Sequence, residues 1–493
     1  MKRSHLLLCG TALCALLMSH GHAQEDSATD VSPETSPAKN EGALPLQELQ
    51  TFADVFHQIR SGYVEEVDDS TLFEFAVRGM LEGLDPHSAY YDAKAWQSFR
   101  EGTSGRFVGV GIEITMEDGL VRVVSPIEDS PAARAGLKTN DLITRVDETP
   151  IKGLTINDAV KLIRGEPNTD VRLTILRRSE ERTFGVTITR APIKTQSVKA
   201  KMVTPDHAWV RVSQFQDRTV SDFARKLTEI YQANPKLKGV VLDLRNDPGG
   251  LLDAAVALSA AFLPDNVKVV STNGQLEESR TEYRANATDY WRRPGRDPIA
   301  TLTRDTDGVF KRLPLVVLVN EGSASASEIV AGALQDHKRA VLMGNRTFGK
   351  GSVQTVRPLG PDAGLKITTA FYYTPTGRSI QAKGITPDMY VDETPEGNLF
   401  AALSTREGDL SKHLETDKAA SASKDPKAIE QREQAREAAR RKLEEERRKD
   451  PSERLLPTFG DDDDFRLQQA LRFMRGESVK LSQTLGKEDS ASN

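Results

Sequence analysis

The rhythm of apolar and polar positions changes several times along this 493-residue chain, and each change marks a different kind of element. Leu49, Phe52, Phe56 and Ile59 recur at helical spacing, and residues 72–84 repeat the habit. Apolar residues so spaced share one side of a helix, so residues 45–104 read as a helical region whose stripe faces a core. From Phe107 the rhythm shortens. Residues 107–114, 120–124, 142–146 and 171–177 alternate and read as strands, with short helices at 131–135 and 156–163 between them. Residues 105–191 therefore form a separate, mostly β module.

Residues 192–416 carry a third rhythm. GVVLDL (239–244) and LPLVVLVN (313–320) are continuous apolar, β-branched runs of the kind that sheets bury on both faces. Residues 206–212 and 367–373 are further strand candidates, and helical stretches alternate with the strands. Such alternation predicts an α/β domain. Residues 289–293, DYWRR, lie in a long charged loop.

The two ends differ from this body. Lys2 and Arg3 precede an apolar run over 6–18 and then Gly21, His22 and Ala23. This is the pattern of a secretory signal peptide over residues 1–23, cut after Ala23. It places the mature chain in the periplasm, or at the membrane if the run stays uncut. Both cysteines, Cys9 and Cys14, lie inside the run, so the mature chain has no disulfide framework. Losing Lys2 and Arg3 moves the net charge from −6 to −8, and nothing in that balance suggests nucleic acid. Residues 24–44 and 417–427 read as linkers, rich in small and polar residues. Residues 428–493 read as a charged helical extension. Its first part is a polar helix held by i,i+4 pairs; an acidic run over 461–464 and a short apolar face (Phe465, Leu467, Leu471, Phe473, Met474) follow. Its composition is that of a solvated arm, and the functional alternative is a docking or assembly arm.

Candidate chemistry lies in two small-residue segments. Ser325 sits in NEGSASASEIVAGAL (320–334), where a strand gives way to a helix. Amides at a helix start can stabilise a developing oxyanion. Equally, Ser323, Ser325 and Ser327 can cap the helix. Lys350 sits in RTFGKGSVQ (346–354) between two glycines. A serine hydroxyl needs a base, and a lysine can serve once burial makes it neutral. DLRNDPGGLL (243–252) adds paired glycines after a strand, which can aim an amide at a carbonyl or simply make a turn. Of the eight histidines, only His337 is near Ser325 in sequence. On a continuing helix that separation is roughly 18 Å. His57, His87, His207 or His413 would have to arrive by tertiary folding.

These segments together resemble the carboxyl-terminal processing (tail-specific) proteases. The matching pieces are DLRNDPGG (243–250), SASASE (323–328), FGKGSVQ (348–354), GRSIQ (377–381) and LDPHSAYY (84–91), in the family's order. The resemblance implies that Ser325 is the nucleophile, Lys350 its general base, and Gln354, one helical turn on, the residue that orients Lys350. It implies an oxyanion hole from the amide of Ala326 and one from Gly249 or Gly250. It also implies a crotonase-like layered core, a dimerising N-terminal region and no metal or other cofactor.

SPAARAGLKTNDLI (130–143) looks like a PDZ domain. The likeness implies that a peptide tail adds as a strand, its carboxylate held by amides around Val108, Gly109, Val110, Gly111 and Ile112. Arg122, Arg134 and Arg145 are candidates to touch the catalytic region. The whole reads as a multidomain α/β (α+β) periplasmic serine endopeptidase. Its expected partners are envelope proteins with exposed C-terminal tails, an activating adaptor protein and further copies of itself. Two other readings are a non-catalytic PDZ adaptor on a protease-like body, and a crotonase-type acyl-CoA enzyme. A secretion signal, a PDZ module and a lysine base argue against the second.

Overall fold

The computed structural model describes residues 44–127, 129–398, 401–415, 426–449 and 458–482. The expected signal peptide, nearly all of the 24–44 linker and residues 417–425 of the second linker lie outside them.

The chain divides into two units, one ending at Leu72 and one running from Phe73 onward. In the first, the helix Leu46–Gly62 has no buried residue. The stripe expected to face a core is exposed instead: Leu49, Phe52 and Ile59 are at 46%, 44% and 40%. Among the described residues of that unit, no element covers it.

The second unit holds the β module and the α/β domain. In the module, strands run in the order Ile112–Glu117, Leu120–Pro126, Leu142–Val146, Asp170–Arg177, Arg182–Thr189. Val121, Val123, Ile143, Leu173 and Ile175 alternate into its core with Ala159 and Ile163 of the helix Ile156–Ile163. The run 107–114 is not one strand. It breaks at Val110–Gly111, and Val108 and Gly109 pair with Pro192 and Ala191 outside the module's sheet. The segments Arg106–Gly109 and Ala191–Lys194 thus bracket the module where it enters and leaves the domain.

The α/β domain is built on a six-stranded sheet, in the order Val198–Thr204, His207–Val212, Gly239–Asp243, Leu315–Val319, Val341–Gly344, Met389–Tyr390. All pairs after the first are parallel. GVVLD and LVVLV are buried at every position, which explains their unbroken apolar runs. The helices Thr219–Ala233, Leu252–Phe262 and Ala326–Asp336 pack on one face. A second sheet of Ala89–Tyr91, Gly364–Tyr373, Lys268–Gly274 and Thr281–Arg284 carries Ser352–Pro358 alongside Gly364–Tyr373.

The other face of the main sheet is covered by the helix Phe465–Met474. Leu467, Ala470 and Leu471 pack on Trp209, Val241, Val316, Leu318 and Met343. This part of the expected solvated extension is core. Its acidic run hides a structural residue. Asp464 is wholly buried and takes two hydrogen bonds from the Arg245 guanidinium, which also bonds Asp243 twice. The helix Pro426–Arg448 is the polar one, as its composition predicts.

Candidate active site

Ser325 ends the loop between the strand Leu315–Val319 and the helix Ala326–Asp336. Its backbone has φ 56° and ψ −113°, a conformation that costs a side-chain-bearing residue energy and that its surroundings must enforce. The two flanking serines supply part of that enforcement. Ser323 Oγ donates to the Leu244 carbonyl at 2.7 Å, and Ser327 Oγ donates to the Asp247 carbonyl at 3.0 Å. Both are fully buried, while Ser325 is partly exposed. The triplet is therefore two structural ties around one accessible hydroxyl.

The Gly249–Gly250 turn lies directly against this loop. A Cβ on Gly249 would sit 2.6 Å from the Ala324 carbonyl oxygen and 2.8 Å from the Ala326 nitrogen. Its φ of 93° also favours glycine. The Gly249 N–H donates to Asp247 Oδ1 at 2.9 Å. Burial pushes the Asp247 carboxyl up to about 8, against the pull of that bond and of Ser327. Gly250 is pressed on Phe215, whose carbonyl oxygen would be 2.0 Å from an added Cβ.

Glu328 organises the rest. Its side chain is fully buried and takes four donors: Thr347 Oγ1 at 2.6 Å and Gly349 N at 2.7 Å on Oε1, Ser325 N at 2.8 Å and Lys350 N at 2.9 Å on Oε2. Burial pushes this carboxyl up to about 7, and the four bonds oppose the shift. The loops of Ser325 and Lys350 are thus clamped to one carboxylate. Tyr372 joins them again. Its hydroxyl donates to the Lys350 carbonyl and interacts with the Ser325 side chain.

Lys350 is pushed down to about 8, first by burial and then by Lys366, with Glu407, Glu328 and Asp85 opposing. Close to neutral pH it is partly neutral, as a base must be. The LDPHS segment supports this wall. Asp85 accepts from the His87 and Ser88 amides and the Ser88 hydroxyl, and Ser88 Oγ accepts from Thr368 N. His87 binds both oxygens of buried Glu407 at 2.9 Å, and Gln381 joins Glu407 to the Gly351 amide.

Gln354 is not on a helix. It lies in the strand Ser352–Pro358, at a bulge, and its amide donates to Ser352 Oγ at 3.0 Å and Thr368 Oγ1 at 3.3 Å. A serine and a β-branched valine between Gly351 and Gln354 favour the strand over the expected turn. Among the described residues no hydrogen bond joins Gln354 to Lys350, or the Lys350 amine to Ser325. The imidazoles of His87, His207, His337 and His413 all bond elsewhere.

The β module presents a second site. A groove of about 100 Å³ lies between the strand Ile112–Glu117 and the helix Ile156–Ile163, lined by Phe107, Val110, Ile112, Ile114, Val160 and Ile163. That strand is at the edge of its sheet, so its outer backbone groups face the groove's side without a neighbour strand. Gly111 is required there, since a Cβ would meet Ser130 Cβ at 2.3 Å. Arg122 and Arg145 bond within the module, to Asn140 and the Glu148 carbonyl, and not to the catalytic loops.

Residues 206–391 match peptidase family S41, residues 108–188 match the PDZ domain, and residues 7–95 match the N-terminal domain of the activating protease CtpB. A carboxy-terminal-processing protease of Bartonella bacilliformis is 42% identical over 412 residues, covering 81% of this chain and 90% of its own. The chain belongs to peptidase family S41, the carboxy-terminal-processing proteases. It is a serine-type peptidase with a PDZ domain, as the motifs implied. The "Probable CtpA-like serine protease" of Staphylococcus aureus is 36% identical over 75% of this chain and 70% of that one. The solved photosystem II D1 C-terminal processing protease is 29% identical, covers 70% of this chain and 93% of its own, and has a TM-score of 0.40.

Three residues of the protease site were not legible as such. In the sequence Glu328 reads only as the end of a motif, Tyr372 as part of a strand, and Asp247 as turn chemistry. A carboxylate in an otherwise apolar helix start, EIVAGAL, was the available signal for Glu328: a buried charge needs a reason.

Proposed function

We propose that the protease cleaves peptide bonds through Ser325, with Lys350 as its base, after its PDZ groove has captured a protein's C-terminal tail. The observation that carries this reading is the shared clamp: Glu328 binds the backbones of Ser325 and Lys350, and burial lowers the lysine toward neutrality. In the reaction, Lys350 Nζ takes the Ser325 proton as Oγ attacks the peptide carbonyl. The C–N bond breaks, Lys350 returns the proton to the leaving amine, and water hydrolyses the ester. The Ala326 amide and one glycine amide carry the oxyanion. Gly250 suits that role better than Gly249, whose N–H is held by Asp247. Gln354 turns to Lys350 only after leaving Ser352 and Thr368, so closure of the site includes that change.

The tail adds along Ile112–Glu117, its terminal carboxylate on the amides of Val110, Gly111 and Ile112. Val108 and Gly109 shape the approach from the strand behind. Control by PDZ position has a structural route. Thr195 Oγ1, at the module's exit, donates to Gln216 Oε1 at 2.9 Å, and Gln216 Nε2 donates to the Gly102 carbonyl at its entry. The preceding residue, Phe215, donates to the Gly249 carbonyl and accepts from the Leu251 N–H across the glycine turn. The apolar stripe of Leu46–Gly62 suits self-association, and the leader suits export to the periplasm, where envelope proteins and an activating adaptor are the expected partners.

Mature wild type and Ser325→Ala are compared in a periplasmic extract, with new protein C-termini read by mass spectrometry. Termini made only by wild type support the reading and name the substrates. Equal termini from both exclude Ser325, and peptide capture without any cleavage in either favours the adaptor.

A further inference from the structure

Three parallel strands of the main sheet end beside one cavity. Asn320 follows Leu315–Val319 directly, Asn345 follows Val341–Gly344, and Asn246 comes shortly after Gly239–Asp243. Crevices at the carboxyl ends of parallel strands are where open α/β sheets bind ligands. This one is about 420 Å³ and is also lined by Glu321, Glu393, Leu403 and Leu443.

Asn345 shows what the cavity lacks. It is 3% exposed, and its Nδ2 donates to Glu321 Oε1 at 2.7 Å and Asn398 Oδ1 at 3.2 Å. Those two acceptors fix the amide's orientation, because a flip would set its oxygen against a carboxylate. Its Oδ1 is then buried with no donor among the described residues. A buried acceptor without a donor is costly, so a ligand that donates is favoured here.

The charges agree. Glu321 and Glu393 line the cavity. Of the arginines nearby, Arg245 and Arg211 are together matched by Asp243 and Asp464. Arg466 bonds the Val391 carbonyl and Asn398 Oδ1, neither of them charged. Two carboxylates therefore face one unmatched guanidinium. Burial pushes the Glu393 carboxyl up, Arg466 draws it down, and Glu321 adds to the rise.

We propose that this cavity binds an organic cation, an alkyl guanidinium or alkyl ammonium, with its head on Glu321, Glu393 and Asn345 Oδ1 and its chain along Leu403 and Leu443. The volume far exceeds the ~30 Å³ share of one water. Among the described residues no group of three or more His, Cys, Asp or Glu is placed to hold a metal ion. The inference concerns binding alone and stands whether or not Ser325 cleaves peptides.

The full chain carrying Ser325→Ala is titrated calorimetrically with n-butylguanidinium and with its neutral analogue n-butylurea. The cation should bind about tenfold tighter, a difference of roughly 1.4 kcal/mol. Glu393→Gln should remove that preference. Leu443→Gln, which keeps every charge, should weaken both ligands and covers the case in which Glu393→Gln misfolds. Acetyl-Ala-Arg-Ala-amide, run alongside, separates the sources: tighter binding than n-butylguanidinium assigns a basic side chain of a peptide, weaker binding a free small-molecule cation. Equal binding of cation and urea, cation binding unchanged in both variants, or binding of calcium chloride with no response to the organic cation would each overturn the proposal.

Discussion

Ser325 and Lys350 are tied together through their backbones, because one oxygen of Glu328 accepts the N–H of both, at 2.8 and 2.9 Å. The other oxygen holds Thr347 and Gly349. Glu328→Gln is therefore not conservative. Whichever way the amide turns, its NH2 meets two donors. The expected cost is roughly 3 kcal/mol in denaturant unfolding, with loss of peptidase activity. Stability and activity near wild type would show that the clamp is dispensable.

The pH profile follows from the same pair. As the proposed base Lys350 has to be neutral, and burial pushes it down to about 8. Glu328 must be ionised to take four donors, with a midpoint of about 7. Deprotonation favours activity at both groups, so kcat/KM should climb from pH 6 to 9 and level off above. Lys350→Arg keeps the charge at every pH and should be inactive throughout, while its unfolding midpoint stays near wild type.

Gly249→Ala tests the contact between the glycine turn and the Ser325 loop. The added methyl has no room beside Ala324 and Ala326, and the φ of 93° strains it further. Activity should fall at least ~100-fold, the scale of a lost oxyanion donor. PDZ peptide affinity should not change.

Gln216→Ala tests the route from the module's hinge. It removes the bonds to Thr195 and Gly102 and leaves the groove and Ser325 untouched. Tail-peptide affinity should stay at its wild-type value while cleavage falls roughly tenfold. A parallel fall in both would place Gln216 in binding, and no change in either would remove the route.

How much of this was legible in sequence depended on whether local pattern or distant contact decided the outcome. The strands GVVLD and LVVLV, the PDZ order and the settings of Ser325 and Lys350 were written locally, in apolar runs and glycines. The role of Asp464 was not. An acidic run reads as solvated, and only the fold brings Arg245 to it across the sheet. The stripe of Leu49, Phe52 and Ile59 erred the other way, since periodicity reports an apolar face and not whether anything covers it. Gln354 had the spacing of a helical turn, but the strand beside Gly364–Tyr373 claimed it.

Asp464→Ala leaves half of a buried charge network unmatched and should cost roughly 3–5 kcal/mol. Ending the chain after Leu414 also uncovers Trp209, Val241 and Leu318, so that protein should be poorly folded rather than merely altered in assembly. A soluble, fully active truncated chain would contradict the assignment of this helix to the core.

The most direct test of the central claim is covalent. The full-length protein is treated with a fluorophosphonate, digested with trypsin, and the labelled residue is read by mass spectrometry, beside Lys350→Ala. The account predicts one label, on Ser325, and its loss in Lys350→Ala although that variant melts as wild type does. A label on another residue, or equal labelling of Ser325 without Lys350, would contradict it.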